Sequence, residues 1–156
     1  MPTFANDVLL KFFRDYQLPF LGDLIYNHKD KEPDEIIHNK NGDYLHRWFI
    51  QKDREKGNVY LHRFIGDDDD RALHDHPWES VSYILYGVYL EYLPNEVIYR
   101  HQGDIIFRDM TTPHRVELVT KEAWTLFITG PRKRDWGFIC DEGWKHYEEF
   151  QENDGC

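Results

Sequence analysis

The sequence predicts an all-β fold, a sandwich or a closed barrel. From Tyr44 onward, short runs rich in aromatic and β-branched residues alternate with turn residues at the spacing of consecutive strands. The gaps between runs are too short for the crossover helices that parallel strands require, so the strands are expected to be antiparallel. The chain has 156 residues, 40% of them hydrophobic and 16% aromatic, which suits one domain with its own core and argues against disorder.

The elements follow in order. Val8, Phe12 and Tyr16 fall four apart with Leu9 and Phe13 beside them, and Pro19 ends the pattern, so a short helix is expected over 6–18. Residues 27–43 are polar, include Asn41-Gly42 and read as a loop. Strands are expected over 44–50, 58–65, 80–86, 88–93, 96–101, 104–108, 114–119, 123–129 and 136–140. Gly57, Gly87, Pro94-Asn95, Gly103, Thr112-Pro113 and Gly130-Pro131 are the punctuation. Trp144, Tyr147 and Phe150 suggest a last segment folded against the barrel, with 151–156 fraying. The division is 1–43 for the helix and polar excursion, 44–140 for the barrel, and 141–156 for the tail.

The charge balance of 19 basic against 29 acidic residues, net −10, argues against a broad nucleic-acid footprint or attraction to an anionic membrane. No apolar run approaches the ~18 residues of a membrane span. The N-terminus is acidic and aromatic where a signal peptide would be basic and then apolar. Two cysteines, Cys140 and Cys156, are too few for a disulfide scaffold and lean mildly toward a cytoplasmic setting.

The informative stretch is Leu73-His74-Asp75-His76-Pro77-Trp78-Glu79. Histidines two apart on a strand share a face, and two imidazoles can hold a divalent metal if a third ligand joins them. Asp75 would point the other way. Taken alone, His-x-His is more often a pair of ordinary half-exposed histidines. A second segment changes the balance: Gly103-Asp104 opens a strand that runs to Arg108, 109–113 makes a turn, and His114 begins the next strand.

At these residues the sequence resembles the cupin superfamily. Gly66, His74, His76, Glu79 and Gly87 echo its first motif, and Gly103 with His114 has the spacing of its second. His74-Asp75-His76-Pro77-Trp78, 127–132, Trp136-Gly137-Phe138 and Gly143-Trp144 also look like a group of small bacterial and phage cupin-like proteins. The resemblance covers about 44–140 and implies a double-stranded β-helix, or jelly-roll, barrel with a short N-terminal helix. It implies a divalent metal held by His74, His76, His114 and Glu79. Two departures bear on this. Gly66 lies two residues too far from His74. Glu79 comes early, and strict alternation from His76 sends Ser80 inward and Glu79 outward unless Pro77 marks a bulge. A three-histidine site resembling that of thiol dioxygenases is the variant that follows if Glu79 stays outside.

Imidazoles, with or without a carboxylate, suit Fe(II), Mn(II), Ni(II), Cu(II) or Zn(II). The resemblance favours Fe(II) and an oxygenase, a dioxygenase-like oxidoreductase acting on a small polar molecule. The alternatives are a non-redox isomerase or lyase and a non-catalytic binding module. Glu79 is expected to be a fourth ligand or a proton acceptor. Arg108 is either an anion clamp for the substrate or, more simply, a partner in a surface or barrel-end ion pair. Tyr83 and Tyr89 are cavity donors or, more simply, core aromatics, and Trp78 walls the pocket. His62 either lines the cavity or is an ordinary strand histidine, and His28, His38, His46, His101 and His146 read as structural. The acidic run 67–70 reads as a solvated loop rather than a calcium site. Arg132-Lys133-Arg134 reads as salt-bridge partners before a rim site. The resemblance also suggests a homodimer through the 6–18 helix and the 44–50 strand.

Overall fold

The computed structural model describes residues 21–53 and 55–156. The helix expected over 6–18 lies outside them. The elements are α1 (Leu21–His28), β1 (Glu35–Asn39), β2 (Gly42–Asp53), β3 (Gly57–Phe64), β4 (Leu73–His74), β5 (Ser80–Tyr86), β6 (Val88–Tyr92), β7 (Val97–His101), β8 (Ile105–Arg108), β9 (Arg115–Leu118), β10 (Ala123–Thr129), β11 (Gly137–Cys140), β12 (Gly143–His146) and α2 (Tyr147–Glu152). The strands form a six-stranded sheet in the order β1-β2-β3-β10-β5-β8 and two three-stranded sheets, β7-β6-β9 and β12-β11-β4. Their pairings are antiparallel, as the short connections require.

The large sheet has two contrasting faces. Cross-strand partners share a face, so Ile128 opposite Val59 and Val81, and Leu126 opposite Leu61 and Tyr83, define the outer one. Leu24 and Ile25 of α1 pack on this apolar layer. Trp48 stacks on Trp124 there, with ring centroids 5.4 Å apart. The inner face carries Tyr60, His62, Ser80, Ser82, Thr125, Phe127, Thr129 and Arg108. At one end of it, Ile84, Ile106 and Ala123 pack against Tyr89 of β6 and Val116 of β9. Tyr83 therefore belongs to the outer layer and Tyr89 to the interior.

Gly87 makes the sharp β5–β6 turn at φ 85, where a side-chain Cβ would strike the carbonyl of Glu122 and come within 2.8 Å of the Ala123 Cα. Only glycine is free of both penalties.

Several expectations need correction. Residues 27–43 are not all loop: β1 pairs with β2 across Gly42 at φ 114, and Asn39 Oδ1 accepts the Asn41 amide at 2.9 Å. Ile36 and Ile37 supply the β-branched pair that the polar flanks conceal. β2 pairs with β3 on one side and, over residues 42–47, with β1 on the other, so the first half of the 44–50 strand is not a sheet edge. The 67–70 run is a loop whose ends, Asp67 and Asp70, are exposed, but Asp68 is buried and accepts the Val116 amide, and Asp67 accepts the Leu118 amide, each at 2.7 Å, so two carboxylates satisfy edge donors of β9. Asp69 pairs with Arg71 at 2.6 Å and Asp70 with Lys40 at 3.2 Å.

The C-terminal residues are not frayed. Phe150 of α2 stacks on Phe138 with centroids 3.7 Å apart, and Trp136 stacks on Tyr147 at 4.8 Å. Cys140 and Cys156 form a disulfide, and Asp154 pairs with Arg71 at 2.7 Å. The disulfide withdraws the support that the cysteine count lent to a reducing compartment. Among the described residues no helix is long and apolar enough to cross a membrane.

Candidate metal centre

His74, His76 and His114 converge. Each offers one ring nitrogen, and these atoms all lie within 4.8 Å of one another. The ring centroids form a near-equilateral triangle, with sides of 5.1 Å (His74–His76), 4.9 Å (His74–His114) and 4.9 Å (His76–His114).

The backbone explains the convergence. The amides and carbonyls of His74 and His114 exchange hydrogen bonds, both 2.9 Å, in an isolated antiparallel bridge. The His76 amide donates to the Met110 carbonyl at 3.1 Å, holding the second histidine beyond the two-residue β4. Asp75 faces away, as alternation demands. Its carboxylate accepts the Gly137 amide at 2.8 Å and the Trp144 indole at 3.0 Å, and pairs with Arg134 at 2.9 Å. Gly137 is required here because a Cβ would collide with the Lys145 carbonyl and approach Trp144 to 2.8 Å.

Glu91 of β6 is the residue that sequence reasoning missed. It is 0% exposed, and its Oε1 accepts from Arg108 Nε at 2.6 Å and lies 2.8 Å from His114 Nδ1, while Oε2 accepts from Arg100 Nε at 2.7 Å. A signal was available: Glu91 shares strand parity with Tyr89, and an acid placed on an inward parity of an aromatic-rich strand needs a buried partner. Burial would push the Glu91 carboxyl up, but the hydrogen bond to His114 and the charge and hydrogen bond of Arg108 hold it well below the usual carboxylate range.

Arg108 is buried and occupied. Besides Glu91 it donates through Nη1 to Ser82 Oγ at 2.8 Å. Its ion pair is buried rather than on the surface, and Glu91 and Ser82 hold two of the guanidinium nitrogens that an anion clamp would use. Glu79 does not join the converging group. Its carboxylate lies 3.9 Å from Lys133 Nζ, and Ser80 takes the inward place that alternation from His76 assigns to it. Arg132 pairs with Asp135 and Arg134 with Asp75, so this basic trio makes local ion pairs.

Trp78 packs edge-on against His76 at 5.7 Å and against Phe127 at 6.3 Å, forming a wall of the site. His62 is sandwiched between Tyr60 and Phe127, at 5.8 and 4.9 Å, and its Nε2 accepts from Arg47 Nε at 2.9 Å. The remaining histidines serve locally: His28 bonds the Leu24 carbonyl, His38 pairs with Asp43, His46 packs edge-on against Trp48, His101 pairs with Asp104, and His146 caps α2.

The donor set fits a divalent cation. Burial first, then the neighbouring imidazoles and Arg108, pushes His76 well below the ordinary histidine value. Burial and Arg108 push His114 down to about 3. Both rings are thus neutral near pH 7, the form that ligates metal. With His114 Nδ1 engaged by Glu91, its Nε2 is left for an ion. His76 Nδ1 is buried with no hydrogen-bond partner, which is costly in a protein interior unless something else meets it.

No protein-family model matches the sequence, and no curated protein matches it. Solved structures do. The DMSP lyase DddQ from Ruegeria pomeroyi DSS-3 is similar with a TM-score of 0.54 at 15% identity, over 69% of this chain and 58% of the lyase chain. FeII HppE is similar with a TM-score of 0.53 at 14% identity, over 75% of this chain and 78% of its own. An uncharacterized conserved protein with a double-stranded beta-helix domain from Klebsiella pneumoniae matches with a TM-score of 0.51 at 16% identity, over 67% of this chain and 91% of its own. At these identities the likeness shows the fold: the chain is an all-β jelly-roll barrel, a double-stranded β-helix.

Proposed function

We propose that this protein is a metal-dependent cupin enzyme, an Fe(II) oxygenase acting on a small polar molecule, with His74, His76 and His114 as ligands. The observation that carries the reading is the convergence of three imidazole nitrogens within 4.8 Å. The fold shared with FeII HppE supports iron among the ions such ligands accept.

A bound Fe(II) would be held by His74, His76 and His114 and would supply Lewis acidity and access to dioxygen. The chain's own residues do the remaining work. His76 and His114 present neutral lone pairs, and Trp78 shields one side of the site. Ser80, with a buried and unpartnered Oγ on the inner face, offers a hydroxyl to a polar substrate. Glu79 is outside the ligand set and 3.9 Å from Lys133, so the fourth-ligand role falls away and only the proton-acceptor role is left to test.

Anaerobic Fe(II) loading followed by oxygen uptake across a panel of small polar substrates tests the reading. One ion per chain and substrate-dependent uptake are expected. A wild-type protein that binds no divalent metal, or binding undiminished in His74→Ala, ends it. Turnover that needs no oxygen and survives zinc or manganese would replace the oxygenase with an isomerase or lyase.

A further inference from the structure

We infer that Glu91, clamped between Arg100 and Arg108, is a positioning residue that fixes the tautomer and orientation of His114. The inference is about this chain's own hydrogen bonds. Only its affinity readout rests on the metal-centre reading above.

The argument is one of donors and acceptors. Three groups point at one buried carboxylate: Arg108 Nε at 2.6 Å and His114 Nδ1 at 2.8 Å meet Oε1, and Arg100 Nε at 2.7 Å meets Oε2. Both arginine nitrogens are obligate donors. Two guanidiniums, one on each oxygen, face the single carboxylate and make it the acceptor for all three contacts, so His114 Nδ1 is the donor and the lone pair of the ring sits on Nε2. Arg108 is itself braced by Ser82 Oγ at 2.8 Å, so the carboxylate cannot swing without breaking a buried chain that crosses from β8 to β6. Both groups come from strands: Glu91 pairs with Val116 across β6–β9, two residues beyond His114, and Arg108 pairs with Ser80 across β8–β5. The orientation of the third imidazole is therefore set by the barrel wall, while the His74–His76 segment is held by backbone bonds to His114 and Met110.

Glu91→Met is the discriminating change because it keeps the length of the side chain and removes both acceptors, so no carboxylate is left to hold the His114 Nδ1 proton. Long-range 15N NMR of the metal-free protein reads the His114 tautomer directly. Cobalt(II) titration reads affinity and the visible ligand-field bands. The wild type is expected to show the proton on Nδ1. Glu91→Met is expected to lose that preference, bind cobalt about 10- to 100-fold more weakly and shift the visible bands. A wild-type proton on Nε2, or a Glu91→Met protein with the wild-type tautomer and spectrum, overturns the inference. If Glu91→Met fails to fold, the metal-free wild type decides alone: the proton must sit on His114 Nδ1, and a proton on Nε2 overturns the inference. Should the wild type bind no cobalt, the metal reading fails, and the metal-free tautomer still decides this one.

Discussion

The two faces of the six-stranded sheet are made from the same strands and do opposite things. Outward, Val59, Val81, Leu126 and Ile128 are buried among apolar neighbours with nothing to hydrogen-bond. Inward, the alternate residues of the same strands include His62, Ser80, Ser82, Thr125, Thr129 and Arg108, all buried and polar, beside Tyr60 and Phe127. A pleated strand sends successive side chains to opposite faces, so one sequence can write stability on one side and chemistry on the other. The lesson is that the polar face survives burial only because its demanding members are paired, and the two atoms left unpaired, His76 Nδ1 and Ser80 Oγ, lie in the segment that carries the candidate site.

That contrast can be broken first at the inner face. His76→Phe exchanges an imidazole with an orphaned nitrogen for an apolar ring. Its metal affinity should fall by about a hundredfold or more, with no loss of metal-free stability by chemical denaturation. A large loss of stability would mean that His76 is structural. At the outer face the opposite is expected. Leu126→Ala, at a fully buried position, should cost about 2–5 kcal/mol of unfolding free energy and leave metal stoichiometry unchanged. Coupled losses would show that the faces are not separable.

The C-terminal sheet is a third support, because β11 carries β4 and hence His74. Cys156→Ser opens a loop with a sequence separation of 16 and should cost about 3 kcal/mol in denaturant unfolding. Metal stoichiometry should persist, since Asp75 still ties the segment to Gly137.

The smallest effect sharpens the electrostatics of the inner face. Burial, then Arg47, pushes His62 well below its ordinary value, so the unfolded chain binds a proton there that the folded chain does not. The stability this contributes is present above the unfolded value of about 6.5 and is lost as pH falls below it. His62→Gln should flatten the pH dependence of metal-free stability below that value by up to about 1.4 kcal/mol per pH unit. An unchanged slope would show that the buried ring takes up its proton without unfolding.

Much of the fold was legible because it rests on local signals. Strand runs bounded by glycine and proline placed β5 and β10 to the residue, and the His74-x-His76 pair, with His114 added by the resemblance to the cupin motifs, anticipated the three converging imidazoles. What was not legible depends on partners distant in sequence. The parity of Glu91 marks it as an inward acid, but its partner His114 emerges only once β6 is known to lie beside β9, and the roles of Asp67 and Asp68 only once they meet β9 amides. Cys140 and Cys156 could be paired only after Phe150 had docked on Phe138 and brought the chain end back. Strand β1 was hidden because its polar flanks outweighed Ile36 and Ile37 in a composition reading. Arg108 was placed at the right end of the right strand, yet its partner decides its role.

The most direct test of the whole account is a crystal structure soaked in cobalt(II), with anomalous scattering locating the ion. The account predicts a single strong site within about 2.1 Å of one ring nitrogen from each of His74, His76 and His114. Anomalous density only elsewhere on the molecule, or none under saturating metal, would contradict it.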